Sequence, residues 1–308
     1  MRFFLIPILL LSVSTSFADI MRVTILGSGT PRPDINRFSQ SILVEAGDEK
    51  LLFDTGRGSA IRLSQANINI GDINEIFLTH LHSDHTLGMP DVIMTGWIYQ
   101  RKKILNIYGP KGTRDFIKDI KSAFKEDIKI RVVPPENHSE EGLKTKTYEI
   151  QQGLIFEKNQ LKVIAFDVDH GGGVKHAYGY KITYKGRSVV ISGDTNYSAN
   201  LVSHAKNSDL LIHEIADAPL SVINKYPKVK GLMNYHTTPE EMARVINEAK
   251  PRYTVLTHML LLGGISETDV IDKVKKLTNN KAKVELAYDL MAIDVKDDIR
   301  TYSINYDK

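Results

Sequence analysis

The run His80-Leu81-His82-Ser83-Asp84-His85 constrains this chain more than any other feature, because it closes an apolar stretch, Ile76-Phe77-Leu78-Thr79, that reads as a strand. Two imidazoles two residues apart at a strand end, followed by a carboxylate and a third imidazole, can converge on a volume a few ångströms across. Residues 86–90, with Gly88 and Pro90, then break into a new element. Nitrogen and carboxylate donors in such a cluster suit Zn²⁺, which binds them at about 2.0 to 2.2 Å. Six of the ten histidines, His80, His82, His85, His170, His236 and His258, fall into the wider pattern that this run opens.

The cysteine count is zero, so any metal ligand must be His, Asp or Glu. That restriction points to catalytic sites with open positions and away from closed thiolate sites. Residues 1–18 read as a secretory signal: Arg2 forms a short positive segment, residues 3–13 are an apolar run, and Ser16-Phe17-Ala18 precedes a cleavage point before Asp19. The run is too short for the roughly 20 residues that span a bilayer, so no stable membrane anchor is expected. An exported location, periplasmic or secreted, follows. Without disulfides the remainder, 19–308, needs an ordinary core, and 42% apolar residues can supply one. Nothing in 19–308 resembles a linker or a second composition regime, so one domain is expected. A formal charge of +3 leaves no electrostatic footprint for a long polyanion, and a structured nucleic acid is not the expected partner. A homodimer is left open.

Strand and helix patterns alternate along the chain. Strands are expected at 23–26, 41–44, 51–53, 76–79, 105–108, 128–133, 161–166, 178–184, 188–192, 210–213, 253–257 and 284–295, and helices at 59–65, 111–124, 199–206, 239–249 and 267–277. Thr238, Pro239 and Glu241 form a capping box with proline in the first turn. Early hairpins with helices throughout argue for mixed sheets covered by helices. Gly27-Ser28-Gly29 lacks a third glycine, and Pro31 and Pro33 stop a helix from starting, so it reads as a tight turn and not as a dinucleotide site.

Three further segments each end an apolar strand on a polar residue: His170 after 163–169, Asp194 after Val189-Val190-Ile191-Ser192-Gly193, and His258 after Val255-Leu256-Thr257. Strand ends are where open sheets gather ligand sites. With the first run they bring the donors to seven, the number two zinc ions need if one carboxylate bridges.

His80-Leu81-His82-Ser83-Asp84-His85, Asp169-His170, Ser192-Gly193-Asp194-Thr195 and Leu256-Thr257-His258, in this order, resemble the metallo-β-lactamase superfamily. The resemblance covers nearly all of 19–308. It implies an α/β fold, an αββα sandwich of two mixed sheets, with metals at one edge. By position it implies His80, His82 and His170 on one Zn²⁺, Asp84, His85 and His258 on a second, and Asp194 bridging. Leu26-Gly27-Ser28-Gly29-Thr30-Pro31, Asp54-Thr55-Gly56, Tyr108-Gly109-Pro110-Lys111-Gly112, Tyr178-Gly179-Tyr180, His213-Glu214, His236-Thr237-Thr238 and Ala287-Tyr288-Asp289 look most like the branch of ribonuclease Z and the zinc-dependent arylsulfatases. In that branch the pair matching Glu214 and His236 serves the leaving group, and Asp84 both binds metal and orients the attacking water.

The implied activity is metal-dependent hydrolysis of a small-molecule ester, either a sulfate ester or a phosphodiester. Two departures from tRNA-processing members bear on the substrate. Only 23 residues separate His170 from Asp194, too few for the long arm those members carry there, and an apolar Met259-Leu260-Leu261-Leu262-Gly263-Gly264 follows the last ligand. Arg37 is placed near the site mouth, and Asp54 beside the metal histidines as their hydrogen-bond partner. Loops expected around 95–103 and 217–234 carry Trp97, Tyr99, Tyr226 and Tyr235, which could shape the pocket. A lactonase or other acyl hydrolase, and a mononuclear iron dioxygenase of the same superfamily, stand as alternatives.

Overall fold

The computed structural model describes residues 20–306; the expected signal segment, 1–18, and its cleavage point before Asp19 lie outside the described residues. Fifteen strands form two sheets. They are β1 (Met21–Gly27), β2 (Ser41–Ala46), β3 (Glu49–Phe53), β4 (Glu75–Phe77), β5 (Leu105–Gly109), β6 (Thr145–Glu149), β7 (Gly153–Lys158) and β8 (Leu161–Val168). After them come β9 (Ala177–Tyr184), β10 (Arg187–Ile191), β11 (Leu210–Asp217), β12 (Tyr253–Leu261), β13 (Val284–Leu286), β14 (Met291–Val295) and β15 (Arg300–Ser303). The first sheet runs β15-β14-β1-β2-β3-β4-β5-β6 and the second β13-β12-β11-β10-β9-β8-β7. Each sheet is half antiparallel and half parallel: β3 to β6 are parallel in the first, and β10 to β13 in the second.

One core lies between the sheets, built from Val23, Ile25, Val44, Phe53 and Phe77 on one side and Val163, Tyr180, Ile182, Val189 and Ile212 on the other. A second lies outside the first sheet, where Leu63, Val92, Ile93 and Trp97 from the helices Ser59–Gln65 and Met89–Ile98 cover Leu43, Leu52 and Ile76. A third lies outside the second sheet, where Met242, Val245, Ile246 and Ala249 of the helix Pro239–Ala249 pack with Val270 and Val274 over Leu211 and Leu256. Strands buried on both faces explain why these segments read as apolar runs without alternation. The four layers are the expected αββα sandwich.

Helix 239–249 starts where the capping box sets it: Thr238 Oγ1 accepts from the Glu241 amide at 3.3 Å, and Glu241 accepts from the Thr238 amide at 2.9 Å. Such a cap is worth about 1 kcal/mol. Lys185 and Gly186, both with positive φ, form the two-residue turn joining β9 to β10.

The fold corrects three local expectations. Residues 128–133 are not a strand; Lys125–Arg131 is a helix, held by Arg131–Asp127 and Lys129–Glu126 pairs one turn apart, and none of its residues is buried. Ile128 and Val132, one turn apart, lie half-buried against the core outside the first sheet, while Ile130 between them is exposed. The segment 284–295 is two strands, β13 and β14, which belong to different sheets. Segments around residues 95 and 217–234, expected as loops, contain the helices Met89–Ile98, Leu220–Lys225 and Pro227–Met233. Among the described residues no helix is long and apolar enough to cross a membrane.

Candidate metal centre

Both sheets point the ends of their parallel strands at one edge. After β4, Leu78 donates to the Tyr108 carbonyl and Thr79 to Asp54 Oδ1, each at 2.8 Å, which fixes the approach to His80. His82 then precedes a single helical turn, Ser83–Thr86, that carries Asp84 and His85. From the second sheet, His170 follows β8, Asp194 follows β10 through Ser192 and Gly193, and Glu214 and His258 lie within β11 and β12. Gly193 has φ +62°, and a Cβ there would stand 2.6 Å from the Tyr178 carbonyl oxygen. Only glycine turns the chain so tightly, and the next residue is Asp194.

His258 is aimed by a bulge. Glu214 pairs with Thr257 and Ile215 with Met259, so His258 is the extra residue, at φ +46°. A bulge re-aims a side chain next to a site, and here it sends the imidazole towards Asp84 and Asp194, at 3.0 and 3.4 Å.

The seven expected ligands are all brought together. His80, His82 and His170 form one cluster in which the donor atoms lie within 4.8 Å of one another, and Asp84, His85 and His258 form another. Asp194 Oδ2 lies between them, 4.0 and 3.9 Å from Nε2 of His80 and His170, and 3.4 Å from Nε2 of both His85 and His258. Two ligands on one tetrahedral ion stand about 3.4 Å apart when each bond is about 2.1 Å. All but the exposed His82 are buried, yet His80 Nε2 and His85 Nε2 have no hydrogen-bond partner among the described residues. Buried nitrogens without partners are costly unless a cation takes them, so the donor set fits divalent metal.

Three of the rings, His85, His80 and His170, are oriented by the nitrogen they turn away from the cluster. His85 Nδ1 lies 2.8 Å from Asp54 Oδ2, whose carboxylate also accepts from Thr79 Oγ1 at 2.9 Å. Asp54 thus occupies the supporting position expected for it, and its φ of 57° bends β3 into that position. His80 Nδ1 meets Thr79 Oγ1 at 3.0 Å, and His170 Nδ1 the Tyr235 carbonyl at 3.1 Å. Burial pushes the His80 pKa well below its usual value, so the ring is neutral, as a ligand must be. Burial also opposes charge on His85 and on Asp194. In His85 the carboxylates of Asp194 and Asp54 win and raise it well above the usual value; in Asp194 the neighbouring imidazoles of His258 and His85 win and hold it well below.

Beside the cluster stands the second expected pair. Glu214 Oε1 accepts from the Thr195 and Thr237 amides at 3.2 and 2.9 Å, and Oε2 lies 3.3 Å from His236 Nδ1. That contact is an ion pair without hydrogen-bond alignment, since both atoms lack a partner by that criterion. Burial disfavours charge on His236, but Glu214 and then Asp194 outweigh it and lift its pKa to about 9.

A cleft of about 560 Å³ opens onto His82, Asp84, Asp194, His236 and His258. Tyr235 and Arg37 line it, with Arg37 tied to Glu267 at 2.8 Å and to the Ala287 carbonyl at 2.7 Å. Trp97 does not: it is buried in the helix-covered core and donates to the Ser139 carbonyl at 2.8 Å. Tyr99 and Tyr226 also lie away from the cleft lining.

Sequence reasoning noted Ser28 and Asp289 as motif letters and missed their part. Asp289 accepts from Ser28 N, Ser28 Oγ, Phe38 N and Arg62 Nε at 2.7 to 3.0 Å, and the Ser28 carbonyl accepts from the His258 amide at 3.0 Å. This chain of bonds holds the bulge that aims His258. An aspartate interrupting the apolar run 284–295 was the available signal.

Residues 49–259 match the family described as Beta-lactamase superfamily domain. The chain is 30% identical over 286 residues to the Ribonuclease Z of Mycobacterium sp. (strain KMS), covering 90% of this chain and 96% of the relative. Its structure resembles that of human tRNase Z, short form, with TM-score 0.66 and 26% identity over 90% of this chain and all of that one. It also resembles a metallo-beta-lactamase fold protein from Bacillus subtilis, with TM-score 0.70, 20% identity and the same coverage, a likeness of fold.

Proposed function

The chain belongs to the metallo-β-lactamase superfamily, and from that premise we propose that it is a zinc-dependent phosphodiesterase working with two metal ions on a small ester. The observation that carries this reading is Asp194 Oδ2, within 4.0 Å of ring nitrogens from both three-residue clusters. In this reading His80, His82 and His170 would hold one zinc and Asp84, His85 and His258 the other, with Asp194 within reach of both sets. When bound, such a pair brings the pKa of water down to about 7 and neutralises charge growing on the ester oxygens.

The chain's own residues do the rest. Asp54 keeps the His85 Nδ1 proton and so directs Nε2 into the cluster. Asp84, with its carboxylate in the cleft lining, accepts a hydrogen bond from the attacking water and orients it. His236 protonates the departing oxygen; Glu214 favours its charged form, and the Thr195 and Thr237 amides keep Glu214 in place. A ring with a pKa near 9 is protonated at neutral pH, as an acid must be before it acts.

A sulfate ester presents the same tetrahedral oxyacid centre and is the competing substrate. Relatives named Ribonuclease Z favour the phosphodiester. The near-neutral charge and the apolar 259–262 segment favour a small ester over a structured RNA. The test is metal analysis with a panel of bis-p-nitrophenyl phosphate, p-nitrophenyl sulfate, p-nitrophenyl phosphate, a lactone and a pre-tRNA. About two zinc per chain and preference for the diester are expected. One iron per chain, or activity confined to the lactone, would overturn the reading.

A further inference from the structure

Beyond its metal ligands the cleft has a second, chemically opposite wall. β12 continues past His258, its residues Met259, Leu260 and Leu261 pairing with Ile215, Ala216 and Asp217 of β11. Leu260 and Leu262 pack against Ala216, Ala218 and Met233, while Met259 and Ile265 pack on the core under helix 239–249. Leu232 adds to the wall from the helix Pro227–Met233, and Leu232, Met259, Leu260, Leu261, Leu262 and Ile265 all line the cleft and are only half-buried. Packing from behind makes the wall rigid. His236 and Tyr235 border the same cleft, so the residue assigned to the leaving oxygen adjoins the apolar side.

We propose that the leaving alcohol of the substrate is an alkyl or aryl group seated on this wall; the inference rests on the diesterase reading above. A nucleotide leaving group would press ribose hydroxyls and phosphate against carbons that offer no hydrogen bond, leaving those groups desolvated and unpaired. An apolar group instead removes carbon surface from water on both sides. The cleft volume falls in the range of small-ligand pockets, about 300 to 1,000 Å³.

The test uses methyl phosphodiesters of 4-alkylphenols on zinc-loaded protein, lengthening the alkyl chain from methyl to butyl at nearly constant leaving-group pKa. kcat/KM should rise about two- to fourfold per methylene. In parallel, calorimetry measures binding of 4-alkylbenzylphosphonates, whose C–P bond is not cleaved, and the same slope is expected. Leu260→Asn and Leu262→Asn should flatten both slopes, and Leu232→Asn on the outer helix gives a further variant should those two fold poorly. Hydrolysis with flat slopes in both series overturns the proposal and leaves the diesterase reading standing. A binding slope without hydrolysis of any diester keeps the apolar site and overturns the diesterase reading. Faster cleavage of a short oligoribonucleotide than of every alkylphenyl ester overturns the proposal.

Discussion

Arg101 and the metal centre are both buried polar clusters, and they differ in one respect. Arg101 donates to the carbonyls of Ile73, Val92, Ile93 and Gly142 at 2.8 to 3.3 Å, with no carboxylate partner among the described residues. Burial lowers its pKa to about 10, which still leaves it charged at neutral pH. The cluster is complete as folded. At the other end of β4 the reverse holds, for His80 Nε2 and His85 Nε2 are buried without hydrogen-bond partners among the described residues. Asn74 Oδ1 and Ser208 Oγ are also buried without partners, so what sets the candidate centre apart is that its unpartnered imidazole nitrogens converge with carboxylates on one point.

His82→Ala or Asp194→Ala should abolish hydrolysis and lower zinc content, since each loss leaves a cation undercoordinated; a variant with full metal and normal turnover would sink the ligand assignment. His236→Ala should keep its metal and lose roughly 10² to 10⁴ in turnover on esters with poor leaving groups. Its loss on nitrophenyl esters should be much smaller, and a uniform loss across leaving groups would deny His236 the acid's role.

Arg101→Met should leave metal content intact but cost roughly 3 kcal/mol, from carbonyls left unpaired. Chemical denaturation reads this directly, and a change below 1 kcal/mol would show that water replaces the guanidinium. Asp54→Asn sharpens the contrast from the opposite side, by touching a residue that satisfies a ligand. Metal affinity should fall about 10- to 100-fold, measured by competition with a chelator; unchanged affinity would mean that Thr79 alone orients His85.

The metal donors were readable in the sequence because each sits where a strand stops, and an apolar run followed by His or Asp survives without any alignment. Mixed sheets covered by helices were readable for the same reason, since strands buried on both faces leave dense apolar runs, while the αββα sandwich itself was legible only through the family resemblance. What escaped reading depends on contacts between distant segments. Lys125–Arg131 has a strand-like alternation, but the helix before it ends at Ala123, leaving it on an exposed flank with no strand to join. Trp97 looked like a pocket aromatic because nothing local reveals that its indole reaches the Ser139 carbonyl. Asp289 serves four donors, all of them more than 200 positions away.

The distribution of donors between the sheets has a mechanical side. His82 and His170 are 88 positions apart, and Asp84 and His258 are 174 apart, yet each pair sits side by side across the gap between sheets. A cation gripped by both members of a pair closes a very long loop, which is what a disulfide does in proteins that carry one. In a chain without a single cysteine, the catalytic edge would double as its clasp, and stripping the metal would unfasten the two sheets at that edge first.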